Sequence, residues 1–354
     1  MKISRRKFFA GAGAAASGLA AASAPNIGAQ TPATSQQAGL PSVWGQDFLY
    51  QWSPPDDVRR DLTPGPNTIR LSNSQDITNK EGTDYDKLFG TMRENGWSAC
   101  EAASAEWLSR KIPAPEVQEI KKQLKAHDVV FYGIHCAGNI IAPDPDGEKW
   151  QRHIVDAIHS AEEFGCQFVL THAGSMYPNR NTAHPKNWTR ETWQRSVKAL
   201  QNICKATAGS KIEVAIEPVN TESINNPWAF KRLKEDVGDS RLMCGLDITN
   251  CVFASTAFRM TELLNTAFDL LEGDIAYVHA KDFVWDGMLP GLSWAMNGTG
   301  NMDYETFLVR VSRIKNPKMY VEFLRTPEEY QEAQRNIRAI AAKVGVKIYG
   351  EQKA

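Results

Sequence analysis

Lys211-Ile-Glu-Val-Ala-Ile-Glu-Pro-Val-Asn220 is the stretch of sequence that decides the fold. It is a short apolar run rich in β-branched residues, and it presents a carboxylate, Glu217, immediately before Pro218. Runs of this length and composition are typical of buried strands, and proline ends them because it has no backbone N–H to donate. The stretch therefore predicts a buried strand with Glu217 at its carboxyl end.

Three later stretches repeat this pattern of an apolar run that ends in an ionisable side chain. They are Arg241-Leu-Met-Cys-Gly-Leu-Asp247, Ile275-Ala-Tyr-Val-His279 and Lys318-Met-Tyr-Val-Glu322. Each run has the length of a strand and is followed by polar or turn residues. Together with the first stretch, they predict four strands that each end in a side chain able to bind a metal ion.

Strand and helix patterns alternate along most of the chain. Eight strands are predicted, each followed by a helix pattern: Thr68–Ser72, Trp97–Ala102, Val129–His135, Gln167–His172, the opening stretch, Leu242–Asp247, Ile275–His279 and Met319–Glu322. Because strict alternation requires parallel pairing with right-handed crossovers, eight units close most simply into a (β/α)8 barrel. The alternative, a doubly wound open sheet, more often shows a glycine-rich turn after its first strand, and none follows Ser72.

These patterns predict an α/β fold with a single TIM barrel domain, residues 67–345. Residues 30–66 are rich in Pro, Ser, Thr, Gln and Gly and lack sustained periodicity, so we expect an irregular N-terminal arm. Residues 346–354 are expected to form a C-terminal tail. A long loop, Lys281 to Asn301, is expected after the seventh strand.

The first residues resemble a twin-arginine export signal. Ser4-Arg5-Arg6-Lys7-Phe8-Phe9 precedes a weakly hydrophobic Ala/Gly stretch, Ala10 to Ala24. This apolar stretch is too short and too rich in Ala and Gly for a stable transmembrane helix, so no stable membrane insertion is expected. We expect residues 1–29 to be a signal that the Tat translocase reads, and the mature protein to be periplasmic.

The composition narrows the classes of partner. The 354 residues carry a formal net charge of −1, which creates no field to attract nucleic acid or an anionic membrane. This balance suits a neutral or weakly charged small substrate, and it leaves open whether the chain forms a homo-oligomer. The six cysteines are scattered without a Cys-x-x-Cys pair, mostly in apolar runs, so we expect reduced, buried thiols.

The strand-end residues suggest a chemistry. In a barrel, the carboxyl ends of the strands converge on one face, where active sites lie. Three carboxylates and one imidazole make a mostly hard oxygen site, for which we expect one divalent ion, Mn²⁺, with Mg²⁺, Co²⁺ and Zn²⁺ as alternatives. Such an ion acidifies a sugar hydroxyl and stabilises an enediolate, while a base within reach removes the proton beside the carbonyl.

The four motifs, in this order along the chain, resemble the metal site of the xylose isomerase-like barrel family: Ala-Ile-Glu-Pro, Gly-Leu-Asp-Ile, Val-His-Ala-Lys-Asp and Tyr-Val-Glu-Phe. The resemblance covers roughly Thr68 to Val344 and includes the family's Gly-x-Gly turn at Gly298-Thr-Gly-Asn-Met-Asp303. This family contains sugar isomerases and epimerases, sugar-acid and inosose dehydratases, and repair enzymes of the endonuclease IV type. The resemblance implies four metal ligands, of which Glu217 and Glu322 also flank the substrate as acid and base groups.

Further candidates lie near other predicted strand ends. His135 and His172 end the third and fourth strands, where each would touch substrate, help proton transfer or be a satisfied histidine of the rim. Lys281 is either a substrate-binding residue paired with Asp282 or part of a salt-bridged strand end, and Glu101 has similar status. Tryptophans that would stack on a sugar ring or pack in the loops are Trp107, Trp285 and Trp294.

One departure from the family pattern concerns the sixth strand. Asp247-Ile-Thr-Asn250 stands where family members often have Asp-x-x-His. Asparagine can hydrogen-bond a sugar hydroxyl, but it is a poor ligand for soft metals and cannot donate a proton as histidine does. Because Phe283-Val-Trp285 also lacks the ligands of a three-zinc cluster, a repair endonuclease is not expected.

We therefore expect an exported, metal-dependent sugar isomerase or epimerase that removes a proton beside a carbonyl through a metal-bound enediolate. The alternatives are a metal-dependent lyase or dehydratase acting on a keto-sugar or 3-keto-glycoside, and a non-catalytic carbohydrate-binding barrel. The expected metal ligands are Glu217, Asp247, His279 and Glu322. The expected catalytic residues are Glu217, Glu322, His135, His172 and Lys281.

Overall fold

The structure is a computed structural model that describes residues 60–73, 80–285 and 291–350. The predicted export signal, residues 1–29, and the arm before residue 60 lie outside these ranges, as do residues 351–354 of the predicted tail. Within the described ranges, no helix is both long and apolar enough to cross a lipid bilayer.

The strands of the described chain are β1 (Arg70–Asn73), β2 (Ala99–Ala103), β3 (Val130–Cys136), β4 (Phe168–Thr171), β5 (Glu213–Ile216), β6 (Leu242–Leu246), β7 (Ile275–Ala280), β8 (Asp282–Trp285), β9 (Leu292–Ala295) and β10 (Lys318–Val321). All except β8 and β9 pair in parallel and close into a barrel in the order β1, β10, β7, β6, β5, β4, β3, β2. The predicted (β/α)8 barrel is confirmed, and each predicted strand overlaps one barrel strand.

The helices that cover the barrel are α1 (Tyr85–Glu94), α2 (Ser104–Trp107), α3 (Ala114–Ala126), α4 (Asp146–Phe164), α5 (Arg190–Ala206), α6 (Pro227–Val237), α7 (Met260–Leu271), α8 (Tyr304–Arg313) and α9 (Pro327–Lys343), with 3-10 turns at Pro185–Trp188 and Thr249–Cys251. Several begin at a polar cap whose side chain accepts a first-turn N–H, as Asp84, Thr189 and Asn226 do. A large apolar core lies between these helices and the strands.

The segment after β7 was expected to be a loop, and in part this is wrong. β8 and β9 form an antiparallel hairpin there. The turn that follows is built around Asp282, whose buried carboxylate accepts the backbone N–H groups of Phe283, Gly298, Gly300 and Met302 at 2.8–3.1 Å. A side chain at Gly300 would put a Cβ 2.3 Å from the Phe283 carbonyl oxygen. The second glycine of the Gly-x-Gly pattern is therefore required by the close approach of this turn to Phe283 and Asp282, and the first, Gly298, by its positive φ of +84°.

Aromatic side chains fill the barrel beneath its mouth. Phe168 and Tyr277 stack with ring centroids 4.8 Å apart, and Tyr320 meets both edge-on. All three are buried, and each contributes about 1.5–3 kcal/mol of hydrophobic free energy. Gly245 makes room for this layer, because a Cβ there would lie 2.0 Å from the Tyr277 hydroxyl oxygen. The residues at the strand ends therefore rest on a packed layer of rings.

Both ends of the described chain pack on the barrel domain. Arg60, from the predicted arm, forms an ion pair with Asp303 at 2.6 Å. From the predicted tail, Ile348 forms a parallel bridge with Ile69, and the Tyr349 N–H donates to the Ile69 carbonyl. All six cysteines are free and buried, as expected from their scattered, apolar surroundings.

Candidate active site

The side chains predicted to bind a metal lie together at the carboxyl end of the barrel. They follow β5, β6 and β10 or lie near the end of β7, and all are buried: Glu217, Asp247, Glu322 and His279. Because the strands are parallel and the barrel is closed, residues far apart in the sequence converge on one face.

His279 stands at the centre of this group. Its Nδ1 lies 3.2 Å from Glu217 Oε2 and 3.7 Å from Asp247 Oδ2, and its Nε2 lies 3.4 Å from Glu322 Oε1. Neither ring nitrogen has a hydrogen-bond partner of acceptable geometry. Buried polar atoms are normally paired, so two unpartnered nitrogens among carboxylates call for an explanation.

A divalent cation fits three of these four side chains, whereas Glu322 lies on the opposite side of the imidazole, at Nε2. One ligand atom from each of Glu217, Asp247 and His279 lies within 4.8 Å of the others, close enough to share one ion. Carboxylate oxygen and imidazole nitrogen are ligands of Mn²⁺, Mg²⁺ and Zn²⁺. The ion would also give the unpartnered imidazole an electron-pair acceptor, and would offset the mutual repulsion of the carboxylates.

Lys281 supplies a positive charge inside the same group. Its ammonium contacts Asp247 Oδ2 and lies 2.8 Å from Glu322 Oε2, and the side chain is only 2% exposed. Burial by itself lowers the pKa of this amine, but the charges of Asp247 and Glu322 raise it above the ordinary lysine value. Lys281 is therefore cationic and lies within this group of side chains, whereas Asp282, proposed as its partner, anchors the neighbouring turn.

The pKa values of Glu217 and Asp247 are lowered, so both are held in their charged form. Burial raises the pKa of Glu217, but the charges of His279 and Lys281 outweigh burial and bring it well below the ordinary value. Burial lowers the pKa of His279, but the charges of Glu322 and Glu217 outweigh burial and raise it well above the ordinary value, so the imidazole is cationic until a metal replaces its proton. A metal-bound imidazole is neutral, and the formal charges of Glu217, Asp247, Glu322 and Lys281 then sum to two negative charges. A divalent ion would neutralise them.

A second group of ionisable side chains adjoins the first. Ligand atoms of Glu101, His135 and Glu322 also lie within 4.8 Å of one another. Burial lowers the pKa of His135 to about 4, although the charge of Glu322 opposes this shift. His135 is therefore neutral near pH 7, and its buried Nε2 makes no hydrogen bond.

His172 faces a carboxylate that the sequence did not reveal. Its Nδ1 lies 3.3 Å from Glu222 Oε1, and Glu222 is fully buried. The same carboxylate accepts the Gly174 N–H at 2.7 Å and lies 3.0 Å from Arg180 Nη1. Glu222 thus joins the loop after β4 to the loop after β5. It stands in a polar loop without periodicity, so no local signal marks it.

A family model described as "Xylose isomerase-like TIM barrel" matches residues 89–340, which is most of the chain. The chain belongs to this family. No curated protein matches the sequence. Members of the xylose isomerase-like family include sugar epimerases, endonuclease IV and a dehydratase, so the family assignment leaves the reaction open.

Solved structures of the family share the fold at low sequence identity. Endonuclease IV from Thermus thermophilus is 19% identical with a TM-score of 0.58, over 77% of this chain and 99% of that one. D-psicose 3-epimerase from Clostridium cellulolyticum, determined with D-tagatose, is 14% identical with a TM-score of 0.56, over 77% of this chain and 99% of that one. The probable 3-DHS dehydratase AsbF of Bacillus anthracis, involved in petrobactin synthesis, is 14% identical with a TM-score of 0.59, over 77% of this chain and 98% of that one.

Asn250, which stands where family members often have histidine, contacts one of the predicted metal ligands. The Asn250 side-chain amide donates a hydrogen bond to Glu217 Oε1. The Tyr277 hydroxyl lies 3.4 Å from the other oxygen of Glu217, and Thr249 donates to Asp247 through both its hydroxyl and its backbone N–H. These contacts orient the carboxylates, as partners of metal ligands commonly do. Asn250 therefore positions Glu217.

The three tryptophans considered for sugar stacking lie in different surroundings. Trp107 is buried and packs edge-on against Phe131 and Phe164, so it belongs to the core. Trp285 is half-buried against that core. Trp294, on the hairpin strand β9, is exposed. Of the three, Trp294 is the one free to meet a ligand.

Proposed function

We propose that this protein is an exported, metal-dependent sugar isomerase or epimerase, which removes a proton from a carbon beside a carbonyl group. The observation that carries the proposal is the pair of buried, unpartnered His279 nitrogens among the carboxylates of Glu217, Asp247 and Glu322. A bound divalent ion, for which Mn²⁺ is our choice, would supply Lewis acidity that polarises the substrate carbonyl.

The two glutamates have different surroundings, and this difference supports different roles. Glu217 is held by Asn250 and Tyr277, which suits a carboxylate that keeps a fixed position as a ligand. Glu322 lies on the other side of the imidazole, near Nε2, and its charged neighbour is Lys281. We therefore assign the proton abstraction to Glu322, and we assign to Glu217 the role of a fixed metal ligand.

Two other side chains support the proton transfer. The Lys281 ammonium can donate a hydrogen bond to the oxygen on which negative charge develops in an enediolate. His135 is neutral near pH 7 and has an unpartnered nitrogen near Glu322, so it can accept or return a proton. His172 lies one strand further around the mouth, with its ring 6.1 Å from that of His135.

Proton exchange in D₂O tests the proposal directly. The protein loaded with Mn²⁺ would be incubated with free ketoses and with 3-keto-glycosides, and deuterium at carbon would be followed by NMR. Exchange together with an isomeric product supports the isomerase or epimerase. Exchange followed by loss of the substituent β to the carbanion would instead establish a lyase, which begins with the same step.

A matched variant separates catalysis from binding. Glu322→Gln keeps the size of the side chain but removes the base, so it should abolish exchange while the protein still binds sugar. If the unmodified protein binds keto-sugars and exchanges no proton with any of them, the enzyme proposal is wrong, and the non-catalytic carbohydrate-binding barrel takes its place.

We also propose that the chain leaves the cytoplasm through the Tat translocase, on the strength of Arg5-Arg6 and the weakly apolar stretch behind them. In the producing bacterium, the double variant Arg5→Lys, Arg6→Lys should retain the full-length chain in the cytoplasm. Cell fractionation and immunoblotting would show this. Unchanged periplasmic accumulation of the double variant would contradict export by this route.

A further inference from the structure

We propose that Trp294 and Phe323 form a platform at the barrel mouth that binds an apolar ring carried by the substrate as a glycosidic substituent. This inference rests on the proposed function, and it specifies the class of substrate: a keto-glycoside with a ring-bearing aglycone rather than a free monosaccharide.

The two side chains form an exposed aromatic pair. Trp294 is 44% exposed and Phe323 is 54% exposed, and their ring centroids lie 4.5 Å apart with an angle of 31° between the planes. Among the residues that the structure describes, no other aromatic contact joins two exposed rings. When a ligand covers large apolar side chains that are exposed to solvent, the burial of their surface favours binding.

The pair borders the candidate active site. Phe323 directly follows Glu322 in the sequence, and the Lys281 ammonium lies 4.2 Å from the Phe323 ring centroid. The same ammonium is 5.8 Å from the Trp294 ring and 2.8 Å from Glu322 Oε2. A substrate whose oxygens meet Lys281 and Glu322 would therefore bring its next ring against this pair.

The backbone holds Phe323 in an unfavourable conformation. Its φ is +63°, in the left-handed region where bulky side chains are rare. Such outliers persist where the surrounding structure imposes them, and they are frequent at ligand sites. Because the Phe323 ring remains exposed, burial in the core does not explain why a phenylalanine occupies this position.

Trp294 is placed by a rigid element. It lies in β9, opposite Phe283 of β8, and Phe283 is fully buried. The adjacent residue Ala295 pairs with Asp282, the carboxylate that anchors the turn through four backbone N–H groups. The tryptophan ring is thus held at the mouth by a fixed hairpin base, as a preformed binding surface requires.

The chemistry of the two zones specifies the ligand. The buried carboxylates, Lys281 and the histidines offer only polar contacts, which suit the hydroxyl and carbonyl oxygens of a sugar. The platform offers ring faces, which suit another flat apolar ring by stacking. Because the platform lies outside the polar zone, the ring it binds must be a substituent that extends from the sugar toward solvent.

Binding of two unreactive probes tests this inference. Phenyl β-D-glucoside and methyl β-D-glucoside have no keto group, so they report binding alone; titration calorimetry on the Mn²⁺-loaded protein would measure both. We expect the phenyl probe to bind about tenfold more tightly. Trp294→Ala and Phe323→Leu should each remove most of this preference while the methyl probe binds as before. Phe258→Ala, at an exposed phenylalanine with no stacked partner among the described residues, should keep it.

Two results would overturn the inference. One is equal affinity of the unmodified protein for both probes; the other is an equal loss of both affinities in Trp294→Ala, which would mean that the sugar ring itself stacks there. The failure of the proposed function is distinguishable. A phenyl preference that Trp294→Ala removes, without proton exchange on any keto-sugar, would support the platform and contradict the enzyme.

Discussion

The two ends of the barrel each bury a lysine near carboxylates, and the outcome differs. At the mouth, Lys281 contacts Asp247 and Glu322, and their charges outweigh burial and raise its pKa. At the opposite end, Lys318 begins β10 and donates to the Ala276 carbonyl at 3.0 Å. There burial prevails, and it lowers the pKa of Lys318 despite the charge of Glu213.

This difference distinguishes the end proposed to carry the active site from the opposite end. The mouth gathers five buried carboxylates, with imidazole nitrogens that lack hydrogen-bond partners. Such a concentration of charge costs stability, and it is typical of binding and catalytic sites. The Lys318 amine at the other end donates to a backbone carbonyl, and the charge that acts on it is that of Glu213. The mouth should therefore govern activity, and the other end only folding.

The largest expected effect concerns the carboxylates. Glu322→Gln should lower turnover of a keto-sugar by about a thousandfold, because it removes the proposed base. Glu213→Gln should leave turnover unchanged, since Glu213 begins β5 at the opposite end of the barrel from the proposed base. Steady-state kinetics on the two variants would check this. Comparable losses would break the distinction between the two ends.

The lysines should differ in stability. Lys281→Met leaves buried carboxylates without their cation, so we expect a loss of about 3–5 kcal/mol in the free energy of unfolding. Lys318→Met removes a single hydrogen bond and a buried charge, and should cost less than about 1 kcal/mol. Guanidinium unfolding with EDTA present would measure both. Equal losses in the free energy of unfolding would mean that Lys281 stabilises its neighbouring carboxylates no more than Lys318 stabilises the opposite end.

Metal should stabilise the mouth. An ion that binds the folded chain alone adds about 2.7 kcal/mol at a hundredfold excess over its dissociation constant. Mn²⁺ should therefore raise the melting temperature of the protein, and EDTA should reverse the shift. His279→Ala should abolish the response, whereas Lys318→Met should retain it. A response that survives in His279→Ala would place the ion elsewhere.

The smallest effect is a pH dependence at the other end. The pKa of Lys318 is below its unfolded value of 10.5, so as pH rises toward 10.5 the folded chain loses this proton before the unfolded chain does. The contribution of Lys318 to stability should therefore increase with pH in that window. The free energy of unfolding of the protein and of Lys318→Met would be measured from pH 8 to pH 10.5. We expect the difference between them to change with pH so that the chain with lysine becomes relatively more stable.

Local patterns were sufficient for the barrel and for most of the mouth. Apolar runs of strand length, ended by residues such as Pro218, gave the positions of the strands, and parallel closure brought their ends together. The sequence did not predict the pairing of β8 with β9, because a strand of four residues depends on its partner, and here the partner is equally short. The sequence did not indicate Glu222, because its place at the mouth is defined by contacts with Gly174 and His172, about fifty positions earlier in the chain.

The sequence by itself determined the alternation of strands and helices and the order of Glu217, Asp247, His279 and Glu322, because hydrophobic periodicity and chain breakers act locally. Only the tertiary structure decided that Lys281 faces these carboxylates while its neighbour Asp282 turns to a loop. It also decided that Trp294 meets Phe323 beside them. These contacts join residues that are distant in the chain, so they exist only when the barrel closes.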